Sequence, residues 1–395
     1  MRNFILKIGL LVIIACLQTV TAAASDNNKP TRVLSRGTTF AAGYSHSCVS
    51  LADGRVQCWG GNQNGQLGSG LLIDFSEDPV DVRGITNALA VSGGGDHTCA
   101  LLADGTVKCW GQNQFGQLGN GTMNNKFDIP VTVIGLTNAT AVAAGWQHAC
   151  ALLADGRVTC WGLMKSDEKH NQIAVVVPVT GITNALGISG GERHTCAVLA
   201  DGTVKCWGKN GNGQLGNGTQ TDSWDPVSVS GISNAVAVAS GYDHSCAVLA
   251  DGTVKCWGTK MTGEDTAVVS LVPETVSGIT SAVAVAGGYY HSCALVRDGR
   301  VKCWGANSGG QLGNGTSSAS PVSVFVKTLI GAVAVAAGGC QYSCAVLADG
   351  TVQCWGHVHF RTLRGGTMKE SLVPLPVRGI AGPVAVAREK VTGLF

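Results

Sequence analysis

A single motif returns seven times along this 395-residue chain, and any fold for it must give seven near-identical segments near-identical surroundings. The copy running Gly241-Tyr-Asp-His-Ser-Cys246-Ala-Val-Leu-Ala-Asp-Gly-Thr-Val-Lys-Cys256-Trp257-Gly258 has counterparts beginning at Gly43, Gly94, Gly145, Gly191, Gly288 and Gly339. The first cysteines of the copies, Cys48, Cys99, Cys150, Cys196, Cys246, Cys293 and Cys344, lie 51, 51, 46, 50, 47 and 51 residues apart. A period of about 40–50 residues carrying several short strands is the mark of propeller blades. The chain is therefore expected to be all-β: a seven-bladed β-propeller with four-stranded antiparallel blades over residues 33–395.

Each unit divides into strands on local pattern. Ala235-Val-Ala-Val-Ala239 alternates small and branched apolar residues, which suits an innermost strand where blades crowd the axis and only Ala, Gly or Val fit. The next two strands flank Ala250-Asp251-Gly252, and the fourth comes from Pro-Val-x-Val runs such as Pro226-Val227-Ser228-Val229. Inner-strand-like material stands at both ends, at Thr38–Ala42 and Pro383–Ala387. The two ends are therefore expected to meet in one sheet, which removes the open edge of a linear array.

The cysteines fall where this register puts them. With Ala250-Asp251-Gly252 as a three-residue loop and Gly252 left-handed, Leu249 pairs with Thr253 and Cys246 lies opposite Cys256. Directly opposed strand residues are about 4.5–5.5 Å apart at Cα, within disulfide reach. The same spacing recurs in Cys48/Cys58, Cys99/Cys109, Cys150/Cys160, Cys196/Cys206, Cys293/Cys303 and Cys344/Cys354, predicting one bridge within each blade. A zinc site needs four clustered ligands, which pairs in separate blades do not supply. Cys340 has no counterpart in the repeat and is left as a free or intermolecular thiol.

His46, His97, His148, His194, His244 and His291 share one repeat position, which Tyr342 takes in the seventh copy. Equivalent placement argues for a hydrogen bond repeated in every blade and against a metal or catalytic ring. Trp59, Trp110, Trp161, Trp207, Trp257, Trp304 and Trp355, each followed by Gly, read as inter-blade packing, with ligand stacking as the alternative. One carboxylate per turn, as at Asp53, Asp104 and Asp251, falls short of the several oxygens Ca²⁺ requires. The sequence holds no Ser-centred nucleophile elbow, no His-Glu-x-x-His and no phosphate-cradling Gly-x-x-x-x-Gly-Lys. No catalytic residue, metal or cofactor is assigned.

Ahead of the repeats, Met1, Arg2 and Lys7 precede an apolar run from Ile8 to Leu17 and the small-residue stretch Thr21-Ala22-Ala23-Ala24. This reads as a secretory signal peptide over residues 1–24, with 25–32 as a linker. Ile13-Ile14-Ala15-Cys16 also resembles a lipoprotein cleavage box, which would instead place a lipid tether on Cys16. No segment offers the roughly 20 apolar residues of a spanning helix. The expected location is secreted, periplasmic or cell-surface, where paired cysteines oxidise. Charged residues are 13% of the chain against a typical value of about 25%, which suits a turn-rich β protein. A net charge of +2 without a Lys/Arg cluster lacks the electrostatic footprint of a nucleic-acid binder.

These motifs carry a family resemblance. Gly-x-x-His-x-Cys-Ala-x-Leu-x-Asp-Gly-x-Val-x-Cys-Trp-Gly, followed by Asn-x-x-Gly-Gln-Leu-Gly-Asn-Gly, resembles the repeat of the regulator of chromosome condensation family from Val33 onward. Its Gly-Gln-Leu-Gly segments stand at Gly65–Gly68, Gly116–Gly119, Gly213–Gly216 and Gly310–Gly313. The resemblance implies a seven-bladed propeller and is specific for fold, not function. The family's eukaryotic founder is a guanine-nucleotide exchange factor for a nuclear GTPase, while a secreted bacterial relative inhibits β-lactamases through one propeller face. A signal peptide and paired cysteines conflict with the exchange-factor role, and no extra hairpin that could wedge into a GTPase stands out. The tetrapeptide is lost in the third, fifth and seventh copies, where Leu163–Gln172, Thr259–Val268 and His357–Glu370 replace it. Those loops are either specialised or drifted.

The two residues between the repeated Gly and His vary while everything around them repeats: Tyr44-Ser45, Gly95-Asp96, Trp146-Gln147, Glu192-Arg193, Tyr242-Asp243, Tyr289-Tyr290 and Cys340-Gln341. Each pair is expected in the turn out of the innermost strand, so the seven turns circle one mouth of the central channel. Variation on a fixed scaffold is where specificity is kept, and Tyr and Trp are frequent interface hot spots. Tyr44, Asp96, Trp146, Arg193, Tyr242, Asp243, Tyr289 and Tyr290 are the candidate partner-binding residues. The alternative is that the aromatics only cap the channel. The function read from this is an exported, monomeric scaffold for a protein partner. Set against it are a structural surface protein, a lyase or hydrolase with its site at the mouth, and an exchange-factor-like effector.

Overall fold

The Ala-Asp-Gly turns set the register on which the rest is built. Leu249 N donates to the Thr253 carbonyl at 2.9 Å, and Gly252 takes φ +80°. Asp251 Oδ1 closes the turn by accepting from Thr253 N and Oγ1 at 2.9 and 2.7 Å. A Cβ on Gly252 would sit 2.7 Å from the Thr280 carbonyl oxygen, so both conformation and space demand glycine. From that turn outward Cys246 falls opposite Cys256, and the two are bonded with their Cα atoms 4.0 Å apart. The other six expected pairs are bonded in the same register. Cys48–Cys58, Cys99–Cys109 and Cys150–Cys160 bridge the first three blades, and Cys196–Cys206, Cys293–Cys303 and Cys344–Cys354 the fourth, sixth and seventh, all with Cα–Cα distances of 4.0–4.1 Å. They lie slightly closer than the roughly 4.5 Å of an ordinary narrow antiparallel pair.

The computed structural model describes residues 40–163, 172–263, 266–358, 369–382 and 384. The expected signal peptide, the linker and Cys16 lie outside them, as do Pro383 and residues 385–387. In the first blade the strands are β1 (Phe40–Ala42), β2 (His46–Ser50), β3 (Val56–Gly61) and β4 (Phe75–Asp81), paired antiparallel in that order. Six further sheets repeat the plan, giving 28 strands and no helix among the described residues. The inner strands touch their neighbours in cyclic order, and the last, Ala332–Ala337, packs back against β1. The ring is closed.

Closure uses both ends of the repeat array. Val384 forms an antiparallel bridge with Leu51, the place that Ala235 holds opposite Leu249 in the fifth blade. Ala381 N donates to Gln57 Oε1 at 2.9 Å, and Val384 joins Phe40, Leu51, Trp59 and Val346 in a buried cluster between the last blade and the first. The other clusters likewise lie at blade-to-blade seams. Trp110, for example, packs against Cys48, Val56 and Leu67 of the preceding blade. Each Trp-Gly is therefore seam packing, as its sequence position implied.

The repeated histidines link blades. His46 Nε2 meets Thr98 Oγ1 at 2.8 Å, and the pairs His148–Thr195, His194–Ser245, His244–Ser292 and His291–Ser343 repeat the contact at 2.7–2.8 Å. Tyr342 closes the series by donating from its hydroxyl to the His46 carbonyl at 2.6 Å while accepting from Ser47 at 3.0 Å. The expectation of one bond per blade fails at His97. Ala149 stands where the other blades carry Thr or Ser, and neither ring nitrogen of His97 has a hydrogen-bond partner. Ala149→Ser should supply the missing acceptor, and its own proton can go to the Gln117 carbonyl as Thr98 donates to that of Gln66. We expect about 1 kcal/mol of added stability, read as a later midpoint in guanidinium unfolding. Ala149→Val, which has no hydroxyl, should not give it. A Ser variant no more stable than the parent would refute the account.

Candidate functional site

Each inner strand but the last is followed by a glycine over which the ring of the next histidine folds back; a Cβ on Gly43, Gly94, Gly145, Gly191, Gly241 or Gly288 would overlap that imidazole. The variable pair comes next, and its two members face different ways. The first residues, Tyr44, Gly95, Trp146, Glu192, Tyr242 and Tyr289, line an axial cavity of about 80 Å³ together with the strand-end glycines. The second residues turn toward the seams. Asp96 accepts from Asn64 Nδ2 and Gln66 Nε2 at 3.2 Å each, and Asp243 from Gln214 Nε2 at 3.4 Å.

At the axis the aromatics converge. Tyr44 meets Trp146 edge-on with ring centroids 4.7 Å apart, Trp146 meets Tyr242 at 5.6 Å, Tyr242 meets Tyr289 at 4.2 Å, and Tyr289 returns to Tyr44 at 6.3 Å. Tyr290 packs on Tyr289 at 4.5 Å and on Tyr242 at 5.9 Å. All five side chains are half-buried, so the cluster caps the channel and still presents ring surface outward.

Burial raises the titrating groups at this mouth. Burial pushes the Cys340 thiol up, and charge on Cys340 raises the Tyr44 phenol in turn. Burial raises Tyr242 and moves Tyr290 to about 12. Glu192 is also raised by burial, against the opposing pull of Arg193, whose Nε lies 3.4 Å away. Cys340, free among the described cysteines, is therefore held as a thiol and is a poor nucleophile at neutral pH. What the mouth offers is aromatic faces with phenol and thiol groups, beside the Glu192–Arg193 pair.

Of the sequence candidates, Tyr44, Trp146, Tyr242, Tyr289 and Tyr290 are brought together, Asp96 and Asp243 brace the preceding blade, and Arg193 accompanies Glu192. The seams hold what the variable pairs did not reveal. In four blades the Gly-Gln-Leu-Gly segment lies on the next blade's tryptophan. The indole N–H groups of Trp110, Trp161, Trp257 and Trp355 donate to the carbonyls of Gln66, Gln117, Gln214 and Gln311 at 2.8–2.9 Å. Leu67, Leu118, Leu215 and Leu312 are fully buried there, and the closing glycine takes φ +62 to +65° where a Cβ would lie 2.6–2.9 Å from the indole. Trp59, Trp207 and Trp304 follow the blades without the tetrapeptide and make no such bond among the described residues. In the fifth blade its replacement is a hairpin extension, with Thr259, Lys260 and Met261 opposite Val269, Val268 and Ala267, and a cavity of about 160 Å³ opens between blades five and six. The loops around Met164 and Phe360 lie outside the described residues.

These features define a seven-bladed propeller with four of its seams locked by a Gly-Gln-Leu-Gly loop set under the next blade's tryptophan. The regulator of chromosome condensation (RCC1) repeat matches residues 53–101, 104–152, 201–248 and 298–346, and a second form of it matches 38–66, 89–117, 139–167, 187–214 and 282–311. Together these span more than half of the sequence, and the chain belongs to this repeat family. Among curated relatives, the ultraviolet-B receptor UVR8 of Arabidopsis thaliana is 35% identical over 130 residues, which is 32% of this chain and 29% of the receptor. The probable E3 ubiquitin-protein ligase HERC4 of Rattus norvegicus is 32% identical over 126 residues, 31% of this chain and 12% of the ligase. The chain thus matches under a third of the length of either relative. Among solved structures, Prp20p of Saccharomyces cerevisiae superposes with a TM-score of 0.73 at 23% identity, covering 84% of this chain and 88% of that one. Human WBSCR16 gives 0.68 at 24% identity, covering 76% and 84%. At these identities the likeness is one of fold.

Proposed function

We propose that this chain is an exported scaffold that binds a protein partner through the turn face carrying Tyr44, Trp146, Tyr242, Tyr289 and Tyr290. The observation that carries the reading is the convergence of five half-buried aromatics on one face, at the positions that vary within an otherwise constant repeat. Clustered Tyr and Trp at the centre of a rigid surface are what interface hot spots are made of. Seven within-blade disulfides favour an oxidising compartment. A protein-binding role also accords with Prp20p, whose structure was described with its binding to Gsp1p and histones.

The test is a combined Tyr44, Trp146, Tyr242 and Tyr289 to Ala variant, compared with the parent in capture from envelope and culture-medium fractions. Each ring is truncated at a turn, outside the seams, so the variant is expected to stay folded by circular dichroism. Partner affinity should fall at least a hundredfold if two or more of the four act as hot spots. A folded variant with undiminished binding would remove the mouth from the reading, and Trp146→Ala alone repeats the comparison with less disturbance.

A further inference from the structure

The seam between blades five and six has the walls of a site that other seams fill. In the fourth-to-fifth seam the Gln214 carbonyl accepts from Trp257 Nε1 at 2.8 Å and from Ser245 Oγ at 3.2 Å. The Gln66 and Gln311 carbonyls are held the same way, by Trp110 with Thr98 and by Trp355 with Ser343, at 2.8–3.0 Å. The leucine that follows each glutamine is wholly enclosed.

Trp304, Ser292, Pro321 and Val322 occupy the corresponding positions of the sixth blade, and they line the 160 Å³ cavity with Met261 and Tyr290. Trp304 is only 7% exposed, yet its indole N–H has no acceptor among the described residues. Ser292, 2% exposed, meets His244 Nε2 and Cys246 Sγ but no carbonyl. The Trp304 indole N–H and the Ser292 hydroxyl thus line the cavity at the positions from which their counterparts hold an acceptor in the filled seams, beside space for an apolar side chain. An apolar cavity of about 150 Å³ accommodates benzene, so the volume suits one leucine.

We propose that this seam is a docking site for a peptide turn of the Gly-Gln-Leu-Gly kind, carried by a partner protein. One backbone carbonyl of the turn accepts from Trp304 Nε1 and Ser292 Oγ, and the next residue, Leu or similar, enters the cavity. The chain's own four tetrapeptides are committed to their own seams with their leucines buried, so the occupant comes from another molecule. Tyr290 borders the cavity and packs on Tyr242 and Tyr289, which places the seam at the edge of the aromatic face. The site holds whether or not that face binds a partner.

The probe is a cyclised synthetic peptide with the sequence of residues 210–218, Asn-Gly-Asn-Gly-Gln-Leu-Gly-Asn-Gly, titrated into the full, oxidised propeller with ¹⁵N-labelled tryptophan. One indole N–H resonance, assigned to Trp304 through its absence in Trp304→Phe, should shift saturably to low field while the others stay. Ala in place of the peptide's Leu should weaken binding at least tenfold through lost apolar burial. Val322→Trp, at a position 50% exposed on the outer strand, should fill the seam and abolish the shift. If that variant fails to fold, Trp304→Phe serves instead, with an expected loss of about tenfold by calorimetry for the missing charge-neutral hydrogen bond. The proposal is overturned by the absence of a saturable shift, by equal binding of the Ala peptide, or by a shift that persists in Val322→Trp.

Discussion

Reducing the seven bridges is expected to lower the apparent melting temperature by on the order of 20 °C. Each bridge spans a sequence separation of 10. The loop-entropy estimate for a ring of that size is about 2.7 kcal/mol, and seven independent rings give roughly 19 kcal/mol as an upper figure. A chain of this length unfolds with an entropy of roughly 0.7–0.8 kcal/mol/K, which turns that figure into the shift stated. Loss should also be ordered. Thirteen of the paired cysteines are buried, whereas Cys256 borders the open seam and is partly exposed, so Cys246–Cys256 should yield first to reductant under native conditions. Timed alkylation with peptide mapping, run beside calorimetry, measures both effects. Simultaneous reduction of all pairs, or a shift of only a few degrees, would count against the account.

Much of this architecture was legible because the repeat samples each interaction seven times. The spacing of Cys246 and Cys256 about one glycine turn sufficed for register, since a left-handed Gly252 leaves one way to pair the flanking strands. Ring closure was legible from the inner-strand pattern at both ends, and the bridge between Leu51 and Val384 is its local expression. The identity of the histidine's partner was not legible, because Thr98 and its equivalents lie in the next blade, some 47–52 residues downstream. Period alone does not say which neighbours touch across a seam. For the same reason the bonds of Asp96 and Asp243 to the amides of Gln66 and Gln214 were not legible. The fifth blade was visibly irregular in sequence. That its irregularity opens a cavity beneath Trp304 follows only once the tetrapeptide is seen lying on tryptophan in the other seams.

Acid should unfold this protein between about pH 6 and pH 4, steeply, because six histidines are buried without charge. Burial lowers His46, His148 and His244 from 6.5 to about 4, and His97, His194 and His291 to about 3. A second ring proton would have nowhere to go, since Nδ1 of His46, His97, His194, His244 and His291 faces no hydrogen-bond partner. Below pH 6.5 the unfolded chain takes up these protons and the folded chain does not, until the pH reaches the folded values. Stability is therefore complete above about pH 7 and falls as pH drops from 6.5 toward 4. Each histidine contributes up to about 1.4 kcal/mol per pH unit, so six give roughly 8 kcal/mol per unit, enough to exhaust an ordinary folding stability within two units. Asp96, Glu192 and Asp243, raised by burial, act in the opposite sense, since they favour the folded state as they protonate. They are only three, and partly exposed, so they blunt the slope without reversing it. Urea unfolding at half-unit intervals from pH 7 to pH 4.5 should yield a proton uptake approaching six. His194→Gln, which keeps a donor in reach of Ser245, should reduce the uptake by one. A flat dependence across that window, or an unchanged slope in the variant, would mean that the histidines titrate alike in the folded and unfolded chain.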